Sequence, residues 1–241
     1  MAVDQITNYI EGTDGSAPLI QMTSAIQSAS DLVWQAAQAS ADLHGMASTA
    51  ACAWIIGRRL FISTVGDSRI YLLKKGFIRQ ISVDHTWLQE ALEAGLITRE
   101  EAKGHPNAHV IKRFIGSENT PEVDVRLNFG VDNQQNHQGM QLDGGDILFM
   151  CSDGISDLIQ ETEISALLKS SDLNAALEAL KQMAYQRGAI DNLSMIAVKI
   201  PTGGLPVTRK IKFLRLLVFA CVLLFASLVG IYFGWLALGN P

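Results

Sequence analysis

Cysteine and positive charge are both scarce in this chain, and each scarcity closes off a class of function. The three cysteines, Cys52, Cys151 and Cys221, form an odd, widely spaced set without a Cys-x-x-Cys pair, so neither a disulfide framework nor a zinc knuckle is indicated. A reducing compartment fits that usage. Only 19 lysines and arginines stand against 24 aspartates and glutamates, a net charge of -5. A binder of the nucleic-acid backbone would show a basic face, so no nucleic-acid partner is expected. Repeats and low-complexity tracts are missing too. Residues 1–10 carry Asp4 and lack a basic region followed by an apolar core, so no secretory signal is expected there. What is present is apolar residue, 48% of 241, enough for one well-buried domain with an appendage.

Charge vanishes altogether from residues 216–238, where Leu, Val, Phe, Ala and Ile dominate. At the helical rise such a run is long enough to cross a bilayer core, which predicts a transmembrane helix. Tyr232 and Trp235 suit an interfacial belt at its far end. Arg209, Lys210, Lys212 and Arg215 crowd the near side, an asymmetry that orients residues 1–208 toward the cytoplasm. The expected organisation is a folded domain over 1–200, a basic linker over 201–215 and the span over 216–238.

Upstream, helical and strand-like patterns alternate. Residues 3–10 and 20–43, the second rich in Ala, Ser and Gln, predict helices. Apolar runs at 50–56 and 60–65, around Gly57-Arg58-Arg59, predict a hairpin, and 68–73 extends it as an antiparallel meander into the Lys74-Lys75-Gly76 turn. Residues 87–94 predict a helix. A second is opened by a threonine cap at Thr98, with Glu100 and Glu101 in its first turn. A polar loop over 128–141, a strand at 146–151, helices at 161–168 and 173–186 and a closing strand at 193–200 complete the pattern.

Three segments carry the chemistry: Val65-Gly66-Asp67-Ser68-Arg69, Cys151-Ser152-Asp153-Gly154 and Ala189-Ile190-Asp191-Asn192. Each sets an aspartate in a tight polar or glycine-containing stretch beside an apolar run. Carboxylates reach a shared hard-cation site in this way, from the ends of buried strands. Taken singly, each segment is equally a structural Asp turn.

Together and in this order, the segments resemble the metal-dependent serine/threonine protein phosphatases of type 2C, the PPM family, in its bacterial form. The resemblance covers most of residues 1–200. It rests on Gly66-Asp67-Ser68-Arg69 with Tyr71-Leu72, Asp84-His85-Thr86, Gly95-Leu96-Ile97-Thr98, His105-Pro106, Cys151-Ser152-Asp153-Gly154 and Asp191-Asn192-Leu193-Ser194. It implies an α+β fold, an α-β-β-α sandwich of two antiparallel sheets flanked by helices, with a binuclear Mn²⁺ or Mg²⁺ centre at one end. It also implies that Asp153 and Asp191 bind the first metal and that Asp67 helps hold a third, weaker one. The implied activity is hydrolysis of phosphoserine and phosphothreonine, with phosphorylated proteins, and a serine/threonine kinase with its substrates, as partners. The competing expectation is a membrane-tethered pseudophosphatase that binds a signalling partner without turnover.

The family opens with a strand bearing a phosphate-gripping arginine and an acidic ligand, then a strand ending in an Asp-Gly that bridges the metals. Neither has a counterpart here, so the chain is expected to enter the fold two strands late and to leave a sheet edge uncovered. Asp14-Gly15 is no substitute, because it follows the first helix. His105 and His109 stand at helical spacing, but Pro106 starts a helix between them and argues against a shared metal face. Cys151, Trp34 and Trp54 are expected in the core, and Arg58-Arg59 and Lys74-Lys75 in solvent at turns.

Overall fold

The computed structural model describes residues 1–128, 138–169, 172–189 and 192–203, and the backbone of 216–224. Two helices come first, α1 (Ala2–Glu11) and α2 (Pro18–Ala39). Strands β1 (Ala47–Ile56) and β2 (Arg59–Val65) form the predicted hairpin. After them come β3 (Arg69–Lys74), β4 (Phe77–Gln80), α3 (Trp87–Glu93), β5 (Met140–Gln141) and β6 (Ile147–Cys151). The series closes with α4 (Asp153–Ser156), α5 (Glu161–Leu168), α6 (Leu173–Gln186), β7 (Met195–Lys199) and β8 (Leu216–Leu224).

The strands form two antiparallel sheets, ordered β5-β2-β1-β8 and β4-β3-β6-β7. The expected meander therefore breaks between β2 and β3: the first strand pair stays in one sheet and β3 crosses into the other. Strand periodicity explains the layering. Ala51, Ala53 and Ile55 of β1 meet Ile70, Leu72, Leu148 and Met150 in the core between the sheets. Their alternates Ala50, Cys52 and Trp54 face outward onto Ile6, Ile10, Met22 and Ile26 of α1 and α2. On the opposite side Tyr71, Phe149 and Cys151 pack under Ile164, Leu168 and Leu180 of α5 and α6. Helix, sheet, sheet, helix is the order expected from the sequence.

Some of these expectations hold and others need correction. Thr98 does start a turn, its amide and hydroxyl donating to Glu101 at 2.8 and 2.9 Å. The turn does not become a helix, because Gly104 takes a positive φ of 70° and Pro106 follows. Trp54 is fully buried, whereas Trp34 is only half-buried. Arg58 donates to the Pro201 and Gly203 carbonyls, and Lys74 to Asp143 and Asp146; both cations are spent on loops. Asp14 accepts from Ser16 and Gln21, a local turn before α2.

The largest departure concerns the apolar C-terminal run. Leu216–Leu224 is a strand, paired with β1 from Ala47↔Leu224 to Ile55↔Leu216. The edge expected to lie open is covered by this chain's own β8. An aperiodic apolar run satisfies a buried strand as well as a helix, and the unpaired N–H and C=O row of β1 is satisfied by accepting it. Among the described residues no helix is long and apolar enough to cross a membrane. The rest of the expected span, 225–238, most of the basic linker and part of the polar loop lie outside the described residues.

Phe149 is fully enclosed and lies 6.1 Å from the Tyr71 ring. Phe149→Ala is expected to lower the unfolding free energy by about 3–5 kcal/mol in urea titrations. A loss under about 1 kcal/mol would contradict the packing described.

Candidate metal centre

Gly66, Asp67 and Ser68 are all that connects β2 in one sheet to β3 in the other. Gly66 has φ of 105°, and a Cβ there would collide with the Thr49 side chain, so only glycine fits. Ser68 is pinned to Thr49 by a 2.8 Å hydroxyl pair. Between them Asp67 is held at the seam of the sheets, 8% exposed.

From the second sheet, fully buried β6 runs into Ser152 and Asp153, the first residue of α4. Gly154 donates to Asp153 Oδ1 at 2.8 Å. A Cβ on Gly154 would stand 2.9 Å from the Asn192 carbonyl. The Ser152 hydroxyl donates to that carbonyl at 3.2 Å and accepts from the Ser194 amide at 3.1 Å. The segment starting at Asn192 is thereby stitched beside Asp153. Asp191 itself lies outside the described residues.

Asp67 and Asp153 line one cleft of about 190 Å³ with Asp84, Asp157, Arg69 and His109. Burial, then the charge of Asp153, then that of Asp84, push the Asp67 carboxyl up to about 7. Arg69 does not relieve it, because its guanidinium is turned onto Asp84, with Nε and one terminal nitrogen at 2.8 and 2.7 Å from Oδ2. Gln80 donates to the other Asp84 oxygen at 2.6 Å. His109 reaches Asp157 across the cleft mouth at 3.2 Å. His105 is elsewhere, stacked on Trp87 at 4.6 Å, so the two histidines share no metal face. Cys151 is sealed in β6 with its thiol pushed up to about 12, chiefly by burial, and serves packing.

Four carboxylates against one guanidinium give the cleft an excess of negative charge, and carboxylate oxygens are donors suited to hard divalent ions. Among the described residues no three His, Cys, Asp or Glu converge closely enough to form a metal cluster alone. Asp67 and Asp153 are the donors the structure brings together.

The chain as a whole has counterparts among known proteins. The family model for protein phosphatase 2C matches residues 8–93. Serine/threonine phosphatase stp of Listeria monocytogenes is 32% identical over 164 residues, 68% of this chain and 60% of its own length. The crystal structure of the Mycobacterium tuberculosis serine/threonine phosphatase PstP/Ppp superposes with a TM-score of 0.69 at 26% identity, covering 83% of this chain and 81% of that one. The chain belongs to the protein phosphatase 2C family. It spans about 60% of the length of the Listeria relatives. The catalytic domain of PstP in complex with two manganese ions also matches, with a TM-score of 0.65, 26% identity and coverage of 83% and 79%.

Sequence reasoning singled out Asp67 and Asp153 but assigned no role to Asp84 or His85, although both stood in a quoted motif. Asp124, buried beside His85, was missed altogether. It sits between Val123 and Val125 with no turn residue beside it, so no local signal marks it.

The Asp67 shift fixes a pH dependence. Its folded-state pKa of about 7 lies above the ordinary aspartate value of 3.8, so between those values the native protein holds a proton that the unfolded chain has lost. Stability of the metal-free protein therefore falls as pH rises from about 4 to 7. Asp67→Asn should be more stable than wild type by about 1–3 kcal/mol at pH 8 and nearly equal at pH 4. Thermal melts in chelator that show a pH-independent difference would refute this.

Proposed function

We propose that this chain is a metal-dependent phosphatase domain that hydrolyses phosphoserine and phosphothreonine in proteins, working with Mn²⁺ or Mg²⁺. The observation that carries the reading is the pair Asp67 and Asp153, one on the crossing between the sheets and one at the end of β6, in one negatively charged cleft whose guanidinium, among the described residues, is engaged by Asp84. Family membership and a manganese-bound neighbour of the same fold support it.

Asp153 would hold the first metal together with Asp191, as the family resemblance implies, and Asp67, facing the same cleft, would help hold a further, weaker one. A bound divalent ion supplies a water of lowered pKa and offsets charge on the phosphoryl oxygens. The chain's own residues define what surrounds that chemistry. A cleft of four carboxylates repels a phosphate dianion, so substrate entry requires the cation. Arg69, committed to Asp84, orients the wall rather than gripping phosphate. Leu88 and Ala108 supply the apolar part of the lining. Phosphorylated proteins, including a serine/threonine kinase and its targets, are the proposed substrates.

A second reading places the chain at a membrane through a helix over 216–238, supported by the apolar composition of that segment and the basic residues before it. The β8 pairing and a helical span exclude each other, since both use residues 216–224.

One experiment addresses both readings. Lysate of cells expressing the chain is separated into membrane and soluble fractions, and each is assayed for Mn²⁺-dependent release of phosphate from a phosphothreonine peptide, beside Asp153→Asn. Activity reduced at least about 100-fold in the variant is expected. Activity in the membrane fraction supports the span, and activity in the soluble fraction the β8 arrangement. Folded, metal-binding protein with no turnover in either fraction would replace the enzyme reading with that of a binding module.

A further inference from the structure

His85 lines no part of the cleft, yet it holds the backbone that carries Asp67. It is buried, 3% exposed. The Gly66 amide donates to His85 Nδ1 at 2.9 Å, and the His85 amide donates to the Gly66 carbonyl at 3.0 Å. One residue thus satisfies both polar groups of the glycine before Asp67. Because Nδ1 accepts, the ring proton lies on Nε2, which donates to Asp124 Oδ2 at 3.2 Å.

Asp124 is itself fixed. Arg126 donates to it from Nε at 2.8 Å and from a terminal nitrogen at 2.6 Å, and the Arg126 amide donates to Oδ1 at 2.7 Å. Reciprocal backbone bonds of 2.8 and 2.9 Å tie Asp124 to Thr64 of β2. Burial alone would raise the Asp124 carboxyl, but the hydrogen bonds from His85 and Arg126 outweigh it and hold it well below the usual carboxylate range. The acceptor for the imidazole is therefore a permanent anion.

A restraint of this kind is what Asp67 requires. Desolvation and the Asp153 charge both favour its swinging out toward water, and glycine before it has the widest backbone freedom of any residue. We propose that His85, backed by Asp124 and Arg126, is a positioning residue that keeps the Asp67 carboxylate aimed into the cleft for a divalent cation. Hydrogen-bonded partners behind metal ligands commonly act in this way. The inference rests on the reading of Asp67 as a metal donor.

The test uses the full chain and the variants His85→Ala and His85→Asn, since an asparagine carbonyl can stand in for Nδ1 as acceptor for the Gly66 amide. Mn²⁺ affinity is measured by calorimetry, and amide hydrogen exchange of the peptide around Gly66 by mass spectrometry. His85→Ala is expected to weaken Mn²⁺ binding about 10-fold or more and to speed exchange at Gly66 while the β6 amides stay protected. His85→Asn should restore most of both. Wild-type affinity and protection in His85→Ala would overturn the proposal. So would protection lost evenly across both sheets, which marks a merely structural role, or a wild-type chain that binds no Mn²⁺. A chain that binds Mn²⁺ and responds as expected, yet hydrolyses no phosphopeptide, would sink the enzymatic reading and leave the positioning role standing.

Discussion

The molecule depends on a crossing three residues long. β2 belongs to one sheet and β3 to the other, and only Gly66, Asp67 and Ser68 join them. So short a connection cannot loop out into solvent, so whatever side chain stands at its centre is carried into the seam of the sandwich. Placing an aspartate there forces a carboxylate into a desolvated position beside Asp153. Glycine at 66 is what lets the chain make the turn against Thr49.

The consequences spread outward from that point. A buried carboxylate near another is destabilising unless a cation joins it, and in this cleft the one guanidinium is already engaged by Asp84. The fold thus holds a site of electrostatic strain that a divalent ion, as proposed, would relieve, with loss of stability in the metal-free protein as the counterpart. The supporting bonds are backbone-directed: His85 on Gly66, and Ser152 on Asn192 and Ser194. They constrain where the carboxylates point more than whether the sheets form. That division lets the apolar layers supply stability while the seam supplies chemistry.

Much of this was legible in the sequence because it is local. The hairpin of β1 and β2, the bounds of α5 and α6, and the emergence of Asp153 from an all-apolar strand follow from periodicity and glycine placement. Pairing that depends on distant partners was not legible. Nothing around residue 66 announces that β3 leaves the sheet of β2, and nothing around Asp124 announces that it will meet His85. The helix expected after Thr98 had a sound cap but too few residues before Gly104 and Pro106 to propagate. The 216–224 run illustrates the same limit: its composition fits a strand and a helix alike, and its pairing with the edge of β1 is encoded by no local pattern.

The central claim is that Asp67 and Asp153 act together as donors to a divalent cation. Calorimetric titration of Mn²⁺ into the wild-type chain, Asp67→Asn, Asp153→Asn and the double variant tests it most directly. The account predicts binding to wild type, weakening of about 10-fold or more in each single variant, and a double variant whose loss departs from the sum of the two singles, as coupling at one site gives. Additive losses would contradict a shared site, and Mn²⁺ binding indifferent to both substitutions would contradict the account as a whole.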